Sequence, residues 1–289
     1  PVIALRVSRP SLPAKTALLS DADRRDLRLV ARRTWRFFET YVTAADNDLP
    51  PDNFQETPHP LLARRTSPTN IGLYMLATTA AHDLGWIGRA EATARLQRTL
   101  ATIQRMPTFR GHLYNWYATE DLSVLEPAYV SSVDSGNLAG HLIAVAQACV
   151  DWQRTPLSET DWRAGLADIL LLASRALKDA PAADAAWTNI WAELSDAAAQ
   201  HAPLDRLLDL SSAAVIRFRA MAVADPEAEF WVVAVRDCLA SHAADRNLSH
   251  GLRLTVVEHL AREFATGMEF GFLLDEEKKL LSIGFSTTT

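Results

Sequence analysis

Residues 130–152 read VSSVDSGNLAGHLIAVAQACVDW. The stretch divides into a polar opening and an apolar, helically spaced body. Ser131-Ser132-Val133-Asp134 is the short polar run that caps the free N–H groups of a helix start, and Asp134 stands in the S-x-x-D place of a capping box. Behind it, Leu138, Leu142, Val145, Cys149 and Trp152 recur at helical spacing on one face. Asp134, Asn137 and His141 share a face at i, i+3 and i+7. One segment thus carries a long amphipathic helix whose start presents a carboxylate, an amide and an imidazole.

The same signals recur outward in both directions. Ser20 and Asp23 form a capping-box-like start, followed by Leu27, Ala31, Trp35, Phe38 and Val42 at helical spacing. Ser67-Pro68 reads as N-cap and first helical residue of a helix through Leu84 that Gly85 ends. That helix is apolar nearly all round, which predicts burial on most sides. Arg89 to Met106 predicts a more polar, more exposed helix. Further helices fit 160–179, 184–201, 203–222, 226–246 and 249–267, with Phe230, Ala234 and Cys238, then Val256, Leu260 and Phe264, as inner faces. Strand signals are local: HLYNWY at 112–117, and a hairpin over 270–285 with a charged turn from Asp275 to Lys279. The expected class is all-α, an (α/α) toroid of antiparallel helix pairs, with short β-hairpins in loops and at the C-terminal end. Loops at one end of such a toroid form a funnel. The expected organisation is an extension over 1–19, the toroid-like domain over 20–285, expected to be cut short at its C-terminal end, and a tail over 286–289. Pro1 and the closing SIGFSTTT read as cut points of a longer chain.

Composition narrows the function. The 289 residues are 48% hydrophobic and 22% charged, with a net charge of −6, enough chain to bury a core. An acidic balance argues against a nucleic-acid partner. Cys149 and Cys238 fall on apolar helix faces and read as buried thiols rather than a disulfide framework. No run approaches the roughly 20 apolar residues of a membrane span, and no signal-peptide pattern opens the chain. His59, His82, His112 and His141 lack metal-ligand spacing, and no phosphate loop, dinucleotide fingerprint or nucleophile elbow occurs. Neither a metal nor a cofactor is expected.

The chemistry gathers in LPPDNFQETPHP, RRTSPTNIGLY, RGHLYNWYATEDL and EPAYVSSVDSGNLAGH, between residues 49 and 141. Together they mix aromatics, amides and carboxylates at helix starts or loop ends, where proteins hold binding groups on a rigid scaffold. Aromatic faces beside carboxylates and amides suit a sugar. Glycosyl transfer commonly uses two carboxyl groups, about 5–5.5 Å apart for retention and roughly 6.5–9.5 Å for inversion. Asp52, Glu56, Glu126 and Asp134 are the candidates. Each has a plain alternative. Asp52 and Glu56 suit a solvated Asx-turn loop. Glu126, before Pro127, suits an extended loop acid, and Asp134 suits a cap. Glu120 and Asp121 read as surface charges. Trp116, flanked by Tyr114 and Tyr117, is the candidate stacking platform. Arg65, Asn70, Arg110, Asn115, Asn137 and His141 complete the candidate binding set.

LPPDNFQE, RTSPTNIGLY, HLYNWY and VSSVDSGNLAGHL, in that order, resemble the central domain of cyclic β-1,2-glucan synthases, as does the closing MEFGFLLDEEKKLLSIGF. The resemblance covers roughly residues 20–285. It implies an (α/α)6 toroid and transglycosylation, in which a linear β-1,2-glucan is cut and its end joined to itself. It also implies neighbouring glycosyltransferase and phosphorylase-like domains in one parent chain, placed at the cytoplasmic face of a bacterial inner membrane. The chain departs from the pattern at Ala118, where an Asp is expected, and at Phe285, past which the pattern continues into further helices. The expectation is an enzyme domain pairing Glu56 or Asp52 with Glu126 or Asp134. The alternative is a non-catalytic segment that holds the glucan.

Overall fold

The computed structural model describes residues 19–155, 157–179, 185–221, 225–247 and 251–287. The expected N-terminal extension, apart from Leu19, and the last two residues of the tail lie outside the described residues, as do parts of the 184–201, 203–222 and 249–267 helix spans.

Helices dominate. They are α1 Asp21–Tyr41, α2 Pro68–Asp83, α3 Arg89–Ile103, α4 Ser132–Arg154, α5 Glu159–Asp179, α6 Ala185–Ala199, α7 Leu204–Ala220, α8 Pro226–Ala244 and α9 Gly251–Thr266. Their starts are local chemistry. Ser20 and Asp23 form the full reciprocal box before α1. Ser67 accepts from Asn70 N, with Pro68 following it, before α2. Asp225 accepts from Glu227 N and Ala228 N before α8. Gly85 ends the α2 region at φ +80°, a conformation that a side chain disfavours.

The helices pack in two groups. α2, α3, α4 and α9 surround one part of the core, and α5, α6, α7 and α8 surround the other. α1 lies against α2 and α5, and α3 touches α8, so the core is continuous. Short loops join the packed neighbours α2–α3 and α6–α7 into helical hairpins, and α7 also packs on α8, an arrangement consistent with an (α/α) toroid. Trp35, Tyr74, Met75, Leu96, Leu100, Leu138 and Leu142 are among its fully buried side chains, each apolar burial being worth about 1.5–3 kcal/mol. Cys149 and Cys238 are buried free thiols, and burial pushes both up to about 12.

Several inner faces differ from the periodic reading. In α1, Leu27 is exposed and the buried residues are Leu29, Arg32 and Trp35. Arg32 is buried because Glu39 takes it bidentately at 2.8 and 3.1 Å and the Trp231 ring centre lies 5.1 Å away. Apolar spacing alone cannot register a buried ion pair. α3 is more buried than expected. Thr93, Thr99 and Thr102 are inside, their hydroxyls donating to the carbonyls of Arg89, Asp48 and Asn47. α2 is buried on most sides, although Leu73 is exposed. In α9 the buried line is Leu254, Val257, Ala261 and Ala265, and Val256 is exposed.

The strands are short and lie in the connections. β1 Phe54–Gln55 pairs with β2 Leu61–Leu62, and β3 Arg65–Thr66 with β6 Tyr117–Ala118. β4 Thr108–Phe109 pairs with β5 His112–Leu113, β7 Tyr129–Ser131 with β10 Gly284–Ser286, and β8 Leu274–Asp275 with β9 Leu280–Leu281. HLYNWY is therefore not one strand. It spans β5 and the start of β6, and between them the Asn115 N–H turns to Tyr129 O at 2.7 Å. The C-terminal hairpin forms as β8–β9, with Asp275 accepting from Glu277 N and Lys278 N in its turn. Gly284–Ser286 leaves that hairpin and pairs with β7 instead. β3 runs directly into the cap of α2, and β7 into the cap of α4. These two strands aim the first turns of α2 and α4 at one place.

Candidate functional site

At that place a closed set of polar contacts joins side chains remote in sequence. Asp52 takes the Arg65 guanidinium at 2.9 Å and accepts from Asn70 Nδ2 at 3.3 Å. Thr69, beside Asn70 in the first turn of α2, donates its hydroxyl to Asp134 Oδ1 at 2.5 Å and accepts from Asn137 Nδ2 at 3.2 Å. With its amide oriented to satisfy its neighbours, Asn115 donates to Asp134 Oδ2 at 3.1 Å and accepts from Trp116 Nε1 at 2.9 Å. The Arg65 guanidinium lies 4.7 Å from the centre of the Trp116 ring, a cation–π contact that returns the circuit to Asp52. Arg65 faces Ala118 across the β3–β6 pair, so the position where the resembled pattern has Asp sits opposite this cation.

Asp134 is held differently from the capping reading. Ser131 Oγ accepts from Asp134 N at 3.1 Å. The returning half of the box is not made, because the Asp134 carboxylate goes to Thr69 and Asn115. Ser131 is also the last residue of β7, paired with Gly284.

The other candidates fall into separate places. His141 lies deeper on the same face of α4, half-buried against α2. An added Cβ on Gly72 would stand 2.3 Å from His141 Nδ1, which is buried without a hydrogen-bond partner. Burial lowers the His141 pKa. Tyr117 is corrected to scaffold. It is 0% exposed, and its hydroxyl donates to Pro107 O at 2.6 Å and accepts from Tyr114 N at 2.7 Å. Burial raises its pKa strongly. Tyr114 is half-buried against the core. Arg110 stands apart from the Asp52–Asp134 circuit, its guanidinium over Phe109 and Phe272.

Glu56 is exposed in the loop between β1 and β2. Glu126 is also exposed, in a bend rather than an extended segment, and one of its oxygens accepts from Ala128 N at 2.8 Å. The neighbouring Leu125 N–H donates to Trp116 O at 2.9 Å, so Glu126 is tied by one residue to the candidate platform. Thr69 has no motif of its own. Its only sequence signal is a hydroxyl beside Asn70 in the first turn of an otherwise apolar helix. Among the described residues, no group of three or more His, Cys, Asp or Glu side chains is placed to hold a metal. No helix among them is long and apolar enough to cross a membrane.

Comparison with known proteins places these contacts in context. Residues 29–138 match a family described as protein of unknown function (DUF3131), a span that contains every member of the Asp52–Asp134 circuit. The chain is 39% identical, over 99% of its length, to cyclic β-(1,2)-glucan synthase NdvB of Rhizobium meliloti, of which it spans 11%. The resemblance to cyclic β-1,2-glucan synthases thus extends over essentially the whole chain. Among solved structures, glucoamylase-like proteins of Bacteroides fragilis and Bacteroides caccae are each 20% identical with a TM-score of 0.38. The alignments cover 53% and 52% of this chain, and 36% and 37% of those proteins.

Proposed function

We propose that the Asp52–Asp134 surface binds a β-1,2-glucan chain and serves the glycosyl-transferring, ring-forming step of a longer synthase. The observation that carries this reading is the closed circuit itself. Carboxylates, amides, a guanidinium and an indole from separate segments are gathered around the rigid first turns of α2 and α4. Amides and carboxylates offer both donors and acceptors to sugar hydroxyls, and an indole face packs against the C–H side of a pyranose. The name of the relative from Rhizobium meliloti supplies the substrate class.

For the chemistry, a carboxylate needs an oxygen free to face the glycosidic bond. Both Asp134 oxygens already accept hydrogen bonds from Thr69 and Asn115, and Asp52 is engaged with Arg65 and Asn70. These aspartates suit orienting roles. Glu126 keeps one oxygen without a partner, and Glu56 is exposed at a hairpin end. In this reading Glu126 and Glu56 exchange protons or bonds with the glucan, and Asp134 and Asp52 hold its hydroxyls and the platform. The parent chain would add glycosyltransferase and phosphorylase-like neighbours and place this domain at the cytoplasmic face of the inner membrane.

The engagement of both aspartates also favours a second reading, a platform that holds glucan for chemistry elsewhere. Titrating linear β-1,2-glucan into the protein by calorimetry tests binding, and product analysis of the same mixture tests chain cutting. Binding with altered chain lengths supports the transferring role, and binding with unchanged chains supports the platform. No binding removes both.

A further inference from the structure

The histidines of α2 and α8 mark a second place of interest. His82 and Thr69 both lie on α2, thirteen positions apart in sequence, so the Asp52–Asp134 circuit is about 20 Å away along the helix. There a cavity of about 430 Å³ opens between the ends of α2 and α8 and the starts of α3, α5 and α7. His82, Arg89, Trp162, Arg163, His242 and Arg246 are among its walls.

The acids of this cavity are already occupied. Glu159 accepts from Arg163 at 2.6 and 2.8 Å. Asp245 caps α3, accepting from Arg89 N at 2.8 Å and Ala90 N at 2.7 Å. Arg246 pairs with Asp205 on the rim. Arg89 has no carboxylate partner among the described residues. The one hydrogen bond its guanidinium makes there is to Trp152 O, at 3.3 Å.

Both histidines are more than nine-tenths buried, and each has one ring nitrogen tied to the protein. His82 Nδ1 meets Asp83 Oδ1 at 3.0 Å, which also accepts from Trp152 Nε1. His242 Nε2 meets Gly85 O at 2.9 Å. A carboxylate and a carbonyl can only accept, so those nitrogens carry the protons. In the neutral rings, His82 Nε2 and His242 Nδ1 then have lone pairs, and neither has a protein partner among the described residues. Unpaired acceptors beside an unneutralised guanidinium call for a ligand that offers O–H donors and an anionic oxygen together.

We propose that this cavity is a phosphate site. At neutral pH phosphate carries one or two O–H groups, and its dihydrogen form presents both to the two imidazole lone pairs while its bare oxygens face Arg89 and Arg163. Sulfate has the charge and shape without the O–H groups. The volume also accommodates the phosphate of a hexose phosphate, with its ring along Trp162 and Leu204.

Calorimetry at neutral pH with inorganic phosphate, a hexose phosphate and sulfate tests the proposal on this chain. The expected result is saturable one-site phosphate binding, at least tenfold tighter than sulfate. Binding should weaken at least tenfold in Arg89→Gln and in His82→Asn, each shown to be folded by circular dichroism and thermal melting. Tighter hexose phosphate binding identifies a phosphorylated sugar as the occupant, and tighter inorganic phosphate identifies the free ion. Absence of saturable phosphate binding to the unmodified protein overturns the proposal, as does equal binding of sulfate. If either variant proves unfolded, Arg89→Lys replaces it, and unchanged affinity in the folded variants overturns the site as well.

Discussion

Arg65 stands 4.7 Å from the Trp116 ring centre while its guanidinium holds the Asp52 carboxylate at 2.9 Å. The Trp116 ring and one of the candidate acids are thus oriented by a single side chain. Trp116 is half-buried, so its ring is braced from one side by a cation and from its edge by Asn115. A braced aromatic loses little freedom when a sugar packs on it.

Trp116→Ala should weaken binding of linear β-1,2-glucan roughly tenfold, about the worth of one aromatic or cation–π contact. Calorimetry with a folded variant checks it. Arg65→Ala should weaken binding too, by freeing both the ring and Asp52. Unchanged affinity in both variants would return Trp116 to a packing role.

In the full parent protein, Glu126→Gln and Glu56→Gln should each abolish ring formation. Stability should change by less than about 0.5 kcal/mol, since both residues are exposed. Gln keeps the shape but cannot cycle a proton or act as a carboxylate nucleophile. Asp134→Asn should instead retain part of the activity while lowering the thermal midpoint, because the Thr69 donor loses its charged acceptor. Normal rates of ring formation in both Glu variants would sink the assignment.

Gly72→Ala should destabilise the fold by about 1–3 kcal/mol, because its new methyl would stand 2.3 Å from His141 Nδ1. Combining it with His141→Ala should recover part of that loss. Urea unfolding of the single and double variants reads the coupling. A neutral single variant would mean that α2 and α4 can separate at no cost.

Stability should fall between pH 7.5 and 5.5. Burial is the largest influence on His112, His141 and His242 and lowers each below the ordinary 6.5. A histidine depressed in the folded state contributes stability above its unfolded pKa. That stability is lost as pH falls below about 6.5 toward the folded value, because the unfolded chain binds more protons. His112 is the strongest case by geometry, boxed by Phe270 and Phe272, with Nδ1 on Ser135 at 2.8 Å and Nε2 buried and unpartnered. An equal or higher urea midpoint at pH 5.5 would contradict this.

The helices and their starts were legible in the sequence because capping is local. Ser20 finds Asp23 three residues on, Ser67 finds Asn70 N, and Gly85 alone fits its positive φ without strain. Apolar spacing likewise marked the α4 face from Leu138 to Trp152, all of it buried. The polar loops gather part of the candidate set into one place, where Asp52, Arg65, Asn70, Asn115, Trp116, Asp134 and Asn137 meet.

Tertiary structure alone decided what each of those side chains does. Asp134 could cap its own helix at no distance in sequence, and instead it turns to Thr69, 65 residues away. Tyr117, beside Trp116 in the chain, points inward because β6 sends alternate side chains to opposite faces. Arg32 is buried because Glu39 and Trp231 wait for it. Local propensity is set by the backbone within a few residues. A side chain's partner is set by which helix ends the packing brings together, and no short stretch of sequence carries that information.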